Sequence, residues 1–142
     1  MISKGQIIRC RSSNSLFRVV HIESPDAWLI AMDRLSTTWP HRTALSMIVD
    51  RINAGSFTIL NEQGTGCRSP QAWKHASRVF ERFEYALVNS HYLLTPAGRV
   101  FILWLLRCDR PTTAKATYYR VIRRWFIGGC ELQGLLPAWS RS

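Results

Sequence analysis

Over the first 35 residues the apolar positions come in short runs separated by polar clusters. Residues 6–11 are one candidate strand, residues 16–22 (LFRVVHI) alternate imperfectly, and residues 27–32 (AWLIAM) are compact and apolar. Ser12 to Ser15 and Glu23-Ser24-Pro25-Asp26 supply turn residues between them, so the pattern predicts three strands in a meander able to curl on itself. Residues 36–40 break this pattern. Leu45, Ile48, Val49 and Ile52 then follow a helical stripe that stops at Gly55, a residue able to take the left-handed cap conformation. Residues 57–60 (FTIL) read as a returning strand, and Phe17, Trp28 and Phe57 are the expected core aromatics. The expected product is a small β-barrel-like domain with one helix over residues 1–62.

Residues 61–70 (NEQGTGCRSP) combine two glycines, a proline and polar side chains, which places a linker at 63–70. Its Gly-Thr-Gly lacks the glycine spacing and the Lys-Ser/Thr of a phosphate-binding loop, so it is expected only to turn the chain. Beyond it the apolar period becomes helical. Ala72, Ala76, Val79, Phe80, Phe83 and Leu87 line one face of a helix expected over residues 71–88, and Lys74, Arg78 and Arg82 are successive i,i+4 neighbours on another. Those cations have two readings: a stripe that tracks phosphates, or a solvated face with Arg78 and Arg82 paired to Glu81 and Glu84. Thr95 and Pro96 form a helix start. Residues 97–106 are apolar on nearly every side, which predicts a helix at the centre of a three-helix packing. In residues 108–113 (CDRPTT), Asp109 or Thr112 can cap the next helix, and Pro111 keeps the two helices from fusing.

In residues 112–126 (TTAKATYYRVIRRWF), Ala114, Tyr118, Val121, Ile122 and Trp125 recur at three- and four-residue intervals. This leaves Lys115, Tyr119, Arg120, Arg123 and Arg124 for the other surfaces. A helix, a turn and a basic helix predict a helix-turn-helix unit within residues 71–142. The expected fold class is therefore α+β: a small N-terminal β-barrel-like domain with one helix, then a three-helix helix-turn-helix domain.

Charge says what such a helix would meet. The chain has 19 Lys or Arg against 9 Asp or Glu, a formal +10. Residues 1–67 hold 7 basic and 5 acidic side chains, net +2, whereas residues 68–142 hold 12 and 4, net +8. The attraction for a polyanion is concentrated in the second half. Double-stranded DNA is the expected partner. Thr113, Lys115, Thr117, Tyr119, Arg120 and Arg123 are the expected DNA contacts, those near the helix start closer to base edges. Arg124 and the Lys74, Arg78, Arg82 stripe are expected on phosphates. Thr117 and Tyr119 have a second reading, completing hydrogen bonds within the fold. Of Tyr118 and Tyr119, one ring is expected inside and one at the surface, and Trp125 and Phe126 are expected in the core.

Other chemistries find less to stand on. Cys10, Cys67, Cys108 and Cys130 show no paired CxxC spacing, and His21, His41, His75 and His91 are dispersed. Asp26, Asp33, Asp50 and Asp109 are expected as turn, surface or cap residues. No catalytic residue, metal site, cofactor or small-molecule ligand is expected, nor a nucleophile elbow. The most apolar run, residues 100–106, is far shorter than a bilayer span, and no signal peptide is recognised, so no membrane partner is expected. A bacterial cytoplasmic, nucleoid-associated location is the corresponding expectation.

Residues 115–126 (KATYYRVIRRWF), followed by Leu135-Leu136-Pro137, resemble the N-terminal DNA-binding part of the large transposase subunit of Tn7-like transposons, which belongs with the Mu-like DDE transposases and integrases. That family has a helix of the form KxTxYRxLRRYW, a glycine turn and an ALLPDY-like stretch. More loosely, residues 17–22, Trp28 and Leu29, and a helix ending at Gly55 stand where the family has its small β domain. The resemblance implies recognition of transposon-end DNA, with strand transfer left to a separate RNase H-like domain whose two Asp and one Glu hold Mg²⁺. No such triad is carried over to these 142 residues, which stop where the family's chain would continue. Ile127-Gly128-Gly129-Cys130 and Ala138-Trp139 depart from the family's more polar turn and acidic-aromatic end. The alternative is an adaptor that docks on other proteins of a transposition or RNA-guided targeting complex through its N-terminal domain.

Overall fold

The computed structural model describes residues 2–33, 39–60, 69–109 and 112–137. The chain divides into two compact units, Met1–Gly64 and Thr65–Ser142.

In the first unit the alternating runs pair as antiparallel strands β1 (Ile7–Cys10), β2 (Leu16–Glu23) and β3 (Asp26–Ala31). A bulge between Val19 and His21 shifts the register of β2 against β3, which is the cause of the imperfect alternation in that run. Two further strands, β4 (His41–Ala44) and β5 (Phe57–Leu60), complete a five-stranded sheet of order β4-β3-β2-β1-β5. The expected barrel is corrected by this order. β4 and β5 are the two edges of an open sheet, and no pairing between them closes it among the described residues. Closure requires hydrogen bonds between the outermost strands, a long-range condition that local alternation does not encode.

Helix α1 (Leu45–Asn53) runs between β4 and β5 and buries Ile48 against Ile8, Val19, Ala27 and Leu29. Phe17, Leu45, Ile52 and Phe57 pack around that cluster. Trp28 lies outside it, half-buried beside the His21 ring at 5.3 Å between centroids. Arg18, within β2, is 3% exposed, and its Nη1 donates to the Gly5 carbonyl at 2.6 Å.

The second unit contains α2 (Pro70–Val88), α3 (Pro96–Asp109) and α4 (Lys115–Ile127), with 3₁₀ turns at Ser90–Leu94 and Leu132–Leu135. The expected linker lies outside the described residues except for its last two members, Ser69 and Pro70. The Ser69 hydroxyl accepts from the Ala72 N–H at 3.2 Å and Pro70 takes the first helical position, so both belong to the start of α2. α2 is kinked at Phe83, where φ is −112° and ψ is 16°.

Here too the expectation is corrected. The unit is not a clean three-helix helix-turn-helix domain, because α3 does not occupy its centre. It buries Ile102, Leu103 and Leu106 and leaves Val100, Phe101 and Trp104 at the surface. The inner face of α4 is instead met by α2, through Phe83 edge-on to Tyr118 at 5.4 Å and Phe80 beside Trp125 at 5.5 Å. The C-terminal 3₁₀ turn packs on α4 as well. The described residues thus form a mixed α/β arrangement, an open sheet with one helix inserted before its last strand and three helices after it.

Candidate nucleic-acid interface

The helix α4 carries the largest group of expected contacts, and its inner face explains how they are held. Tyr118, Val121, Ile122, Trp125 and Phe126 are buried, which orients the remaining side chains outward. The Tyr118 hydroxyl donates to the Leu106 carbonyl of α3 at 3.4 Å. The indole Nε1 of Trp125 is buried with no hydrogen-bond partner.

Both ends of α4 follow from its flanking residues. Its N-cap is Ala114, whose side chain makes no capping bond, so neither Asp109 nor Thr112 holds the N-cap position; Asp109 is the last residue of α3. At the C-terminus the Gly129 and Cys130 amides donate to the Phe126 and Trp125 carbonyls at 3.0 and 2.8 Å. Gly129 and Cys130 take φ of 83° and 60°, closing the helix with two left-handed residues. The chain then returns so closely over the helix end that a Cβ on Gly128 would collide with the Gly134 backbone, and one on Gly134 would lie 2.7 Å from the Arg124 carbonyl. Gln133 Nε2 donates to the Gly128 carbonyl at 3.2 Å and pins this return.

Among the expected DNA contacts on α4, Lys115 and Arg120 are exposed, while Thr117, Tyr119, Arg123 and Arg124 are partly exposed. Arg120 stands near the middle of the side opposite the buried stripe, with Arg123 and Arg124 to either side of it. The ammonium group of Lys115 sits 5.3 Å from the centroid of the Tyr119 ring, so these two side chains form one amphipathic group at the helix start. Arg124 is committed to the fold: its Nη2 donates to the Leu136 carbonyl at 2.9 Å. Burial, and secondarily the charge of Arg120, hold its pKa below the ordinary guanidinium value. Thr113 stands apart from the group. At 8% exposure it has almost no surface to offer a ligand.

Lys74, Arg78 and Arg82 lie along α2, ahead of the kink, and all three are exposed, with the Arg82 guanidinium 5.5 Å from the Phe83 ring centroid. α2 and α4 pack on each other, so both cationic rows belong to one unit. Arg99 of α3 is a cation that the sequence pattern does not single out. Its Nη1 donates to the Leu93 carbonyl at 3.1 Å, and burial holds its pKa below the ordinary guanidinium value, with the nearby Tyr119 opposing that shift. A lone Arg within an apolar run gives no periodic signal, so only the fold brings it to α4.

Among the described residues no group of three or more His, Cys, Asp or Glu is placed to hold a metal ion, and no helix is long and apolar enough to cross a membrane. The Cys10 thiol of the first unit is pulled down to about 6, chiefly by the Ser12 hydroxyl 3.3 Å away and then by Ser13. No protein-family model matches the chain. No curated protein matches it either.

Proposed function

We propose that the second unit binds double-stranded DNA through the outward side of α4, and that it does so at transposon ends as the front part, or a stand-alone relative, of a Tn7-like transposase. The observation that carries this reading is the division of α4: five apolar side chains are buried on one side while Lys115, Arg120 and Arg123 reach the surface elsewhere on the same helix. A cationic helix face on a firm hydrophobic seat suits a groove lined by phosphates, since the backbone charges supply affinity and exposed side chains near the helix start can reach base edges. The net +8 of residues 68–142 adds a long-range attraction. The resemblance of residues 115–126 and 135–137 to the end-binding part of Tn7-like transposases supplies the target. In this reading Arg124 braces the tail, the Lys74, Arg78, Arg82 row meets phosphates, and the chain contributes no chemistry of its own.

The test is selection from a randomised duplex pool by the full chain, followed by salt titration of the winning duplex beside a scrambled one. The expected result is a shared sequence among the winners. Replacing Arg120 and Arg123 by Ala is expected to lower affinity and to flatten the dependence of log K on log salt by about 1 for each phosphate no longer neutralised. Winners without a common sequence would sink specific recognition, and an unchanged salt slope in the double variant would remove α4 from the interface.

A further inference from the structure

The helix α3 shows solvent what α4 conceals. Val100, Phe101 and Trp104 are 64%, 58% and 61% exposed, at positions i, i+1 and i+4 of one helix. Tyr92, 57% exposed, stands on the 3₁₀ turn just before it. Isolated surface apolar residues are ordinary, but a row of Phe and Trp on consecutive turns is the composition of an interaction surface.

This surface is held rigidly. A Cβ on Gly98 would collide with the Tyr92 carbonyl, so the turn and the first turn of α3 touch backbone to backbone. Arg99 Nη1 bonds the Leu93 carbonyl at 3.1 Å, and the Thr95 hydroxyl accepts from the Gly98 N–H at 3.1 Å, capping the helix. Tyr92 and the α3 row are therefore parts of one preorganised piece, and little ordering is needed when it binds.

Charge selects the occupant. Arg99 and Arg107 lie on this piece with Asp109 as its only acid, and residues 68–142 carry net +8. A second copy of the chain would bring two such fields together and set like charges around the contact. Single strands of nucleic acid are the other class with affinity for aromatic and basic groups, but their binders interleave cations densely with the rings. Here Arg107 is the one fully exposed Arg or Lys of α3, and Val100 extends the row with an aliphatic group that gives no stacking platform. We propose that the α3 face docks an amphipathic, acid-rich helical segment of another protein, its apolar side on Val100, Phe101 and Trp104 and its carboxylates toward Arg107. This moves the protein-docking surface from the first unit, where it was expected, to the second, and it does not depend on DNA binding by α4.

The probe is a phage-displayed random peptide library of about 16 residues, long enough for four helical turns. It is selected on the full 142-residue chain and counter-selected on the Phe101→Ser/Trp104→Ser variant, whose thermal unfolding is checked against the parent. Enriched peptides with apolar residues at helical spacing and net negative charge are expected. Their affinity should weaken with salt, fall about tenfold or more on the double variant, and be unchanged by Arg120→Ala. The proposal is overturned if enriched peptides are net positive, or if none is enriched over the counter-selected variant. It is also overturned if sedimentation shows a dimer of the parent that Trp104→Ser dissociates, or if the double variant loses only oligothymidylate binding.

Discussion

Helices α3 and α4 are nearly equal in length, 14 and 13 residues, and opposite in what they show. α4 buries Tyr118, Val121, Ile122, Trp125 and Phe126 and turns its cations outward. α3 buries Ile102, Leu103 and Leu106 and turns two aromatic rings outward. The difference lies in how apolar residues are distributed rather than in how many there are. The five large ones buried on α4 share one side, so a single packed surface against α2 and the C-terminal 3₁₀ turn accommodates them. Those of α3 go round the helix, so any single surface leaves some exposed. One helix is suited to a charged ligand because its packing is finished; the other has packing still to do.

The most direct way to break this contrast is to damage the packing of α4. Phe126 is 1% exposed, and Phe126→Ala is expected to destabilise the second unit by about 3–5 kcal/mol through reduced burial and the cavity left behind. Chemical denaturation followed by tryptophan fluorescence measures it, and a loss under about 1 kcal/mol would mean that the inner face is loosely packed. A somewhat smaller effect is expected at the turn after α4. A methyl at Gly134 would stand 2.7 Å from the Arg124 carbonyl and close to the Gly128 backbone. Gly134→Ala is therefore expected to cost about 1–3 kcal/mol, as overpacking does. The same substitution should free the Arg124 guanidinium from the Leu136 carbonyl, a change visible in its side-chain NMR signals.

How much of this is legible in the sequence depends on the range of the interactions concerned. The strands around Ile8, Val19 and Leu29 and the stripe of α4 follow from local period, and local period is written in the sequence. β4 is not visible in that way: His41-Arg42-Thr43-Ala44 has no apolar alternation, and as an edge strand it needs only the backbone of β3 beside it. The openness of the sheet is likewise a matter of which edges meet. An all-round apolar helix reads as central, so the exposed row on α3 is hidden by the rule that usually places such helices inside. Among the candidate DNA-binding residues, the exposure of Arg120 is a consequence of the α4 stripe, whereas Lys115 lies on the stripe's own side and is exposed as the first residue of the helix. The burial of Thr113 is decided by tertiary packing just outside the helix, where no stripe reaches.

The comparison predicts that surface changes on the two helices will leave stability nearly alone and separate by ligand. Arg120→Ala, on the exposed side of α4, should alter stability by no more than about 0.5 kcal/mol while weakening duplex binding and reducing its salt slope by about 1. Thermal melts and the salt titration together check this. A Tm loss as large as that of Phe126→Ala would mean that Arg120 serves the fold.

The smallest stability effect is expected at Trp104, and it is the most informative about α3. If this indole were part of a core, replacing it by Ser would cost several kcal/mol, as truncating buried aromatics does. With 61% of its surface in water, little apolar area is given up, and Trp104→Ser should change stability by no more than about 0.5 kcal/mol. Denaturant titration of the full chain measures this, with the m-value unchanged if the unfolding surface is the same. A loss of about 2 kcal/mol or more would place Trp104 in a packed interior and erase the distinction between the helices. Near-neutral stability with unaltered duplex binding would leave the ring with no part in folding or in the DNA site, and binding to another surface would be the remaining use for a tryptophan held on so rigid a support.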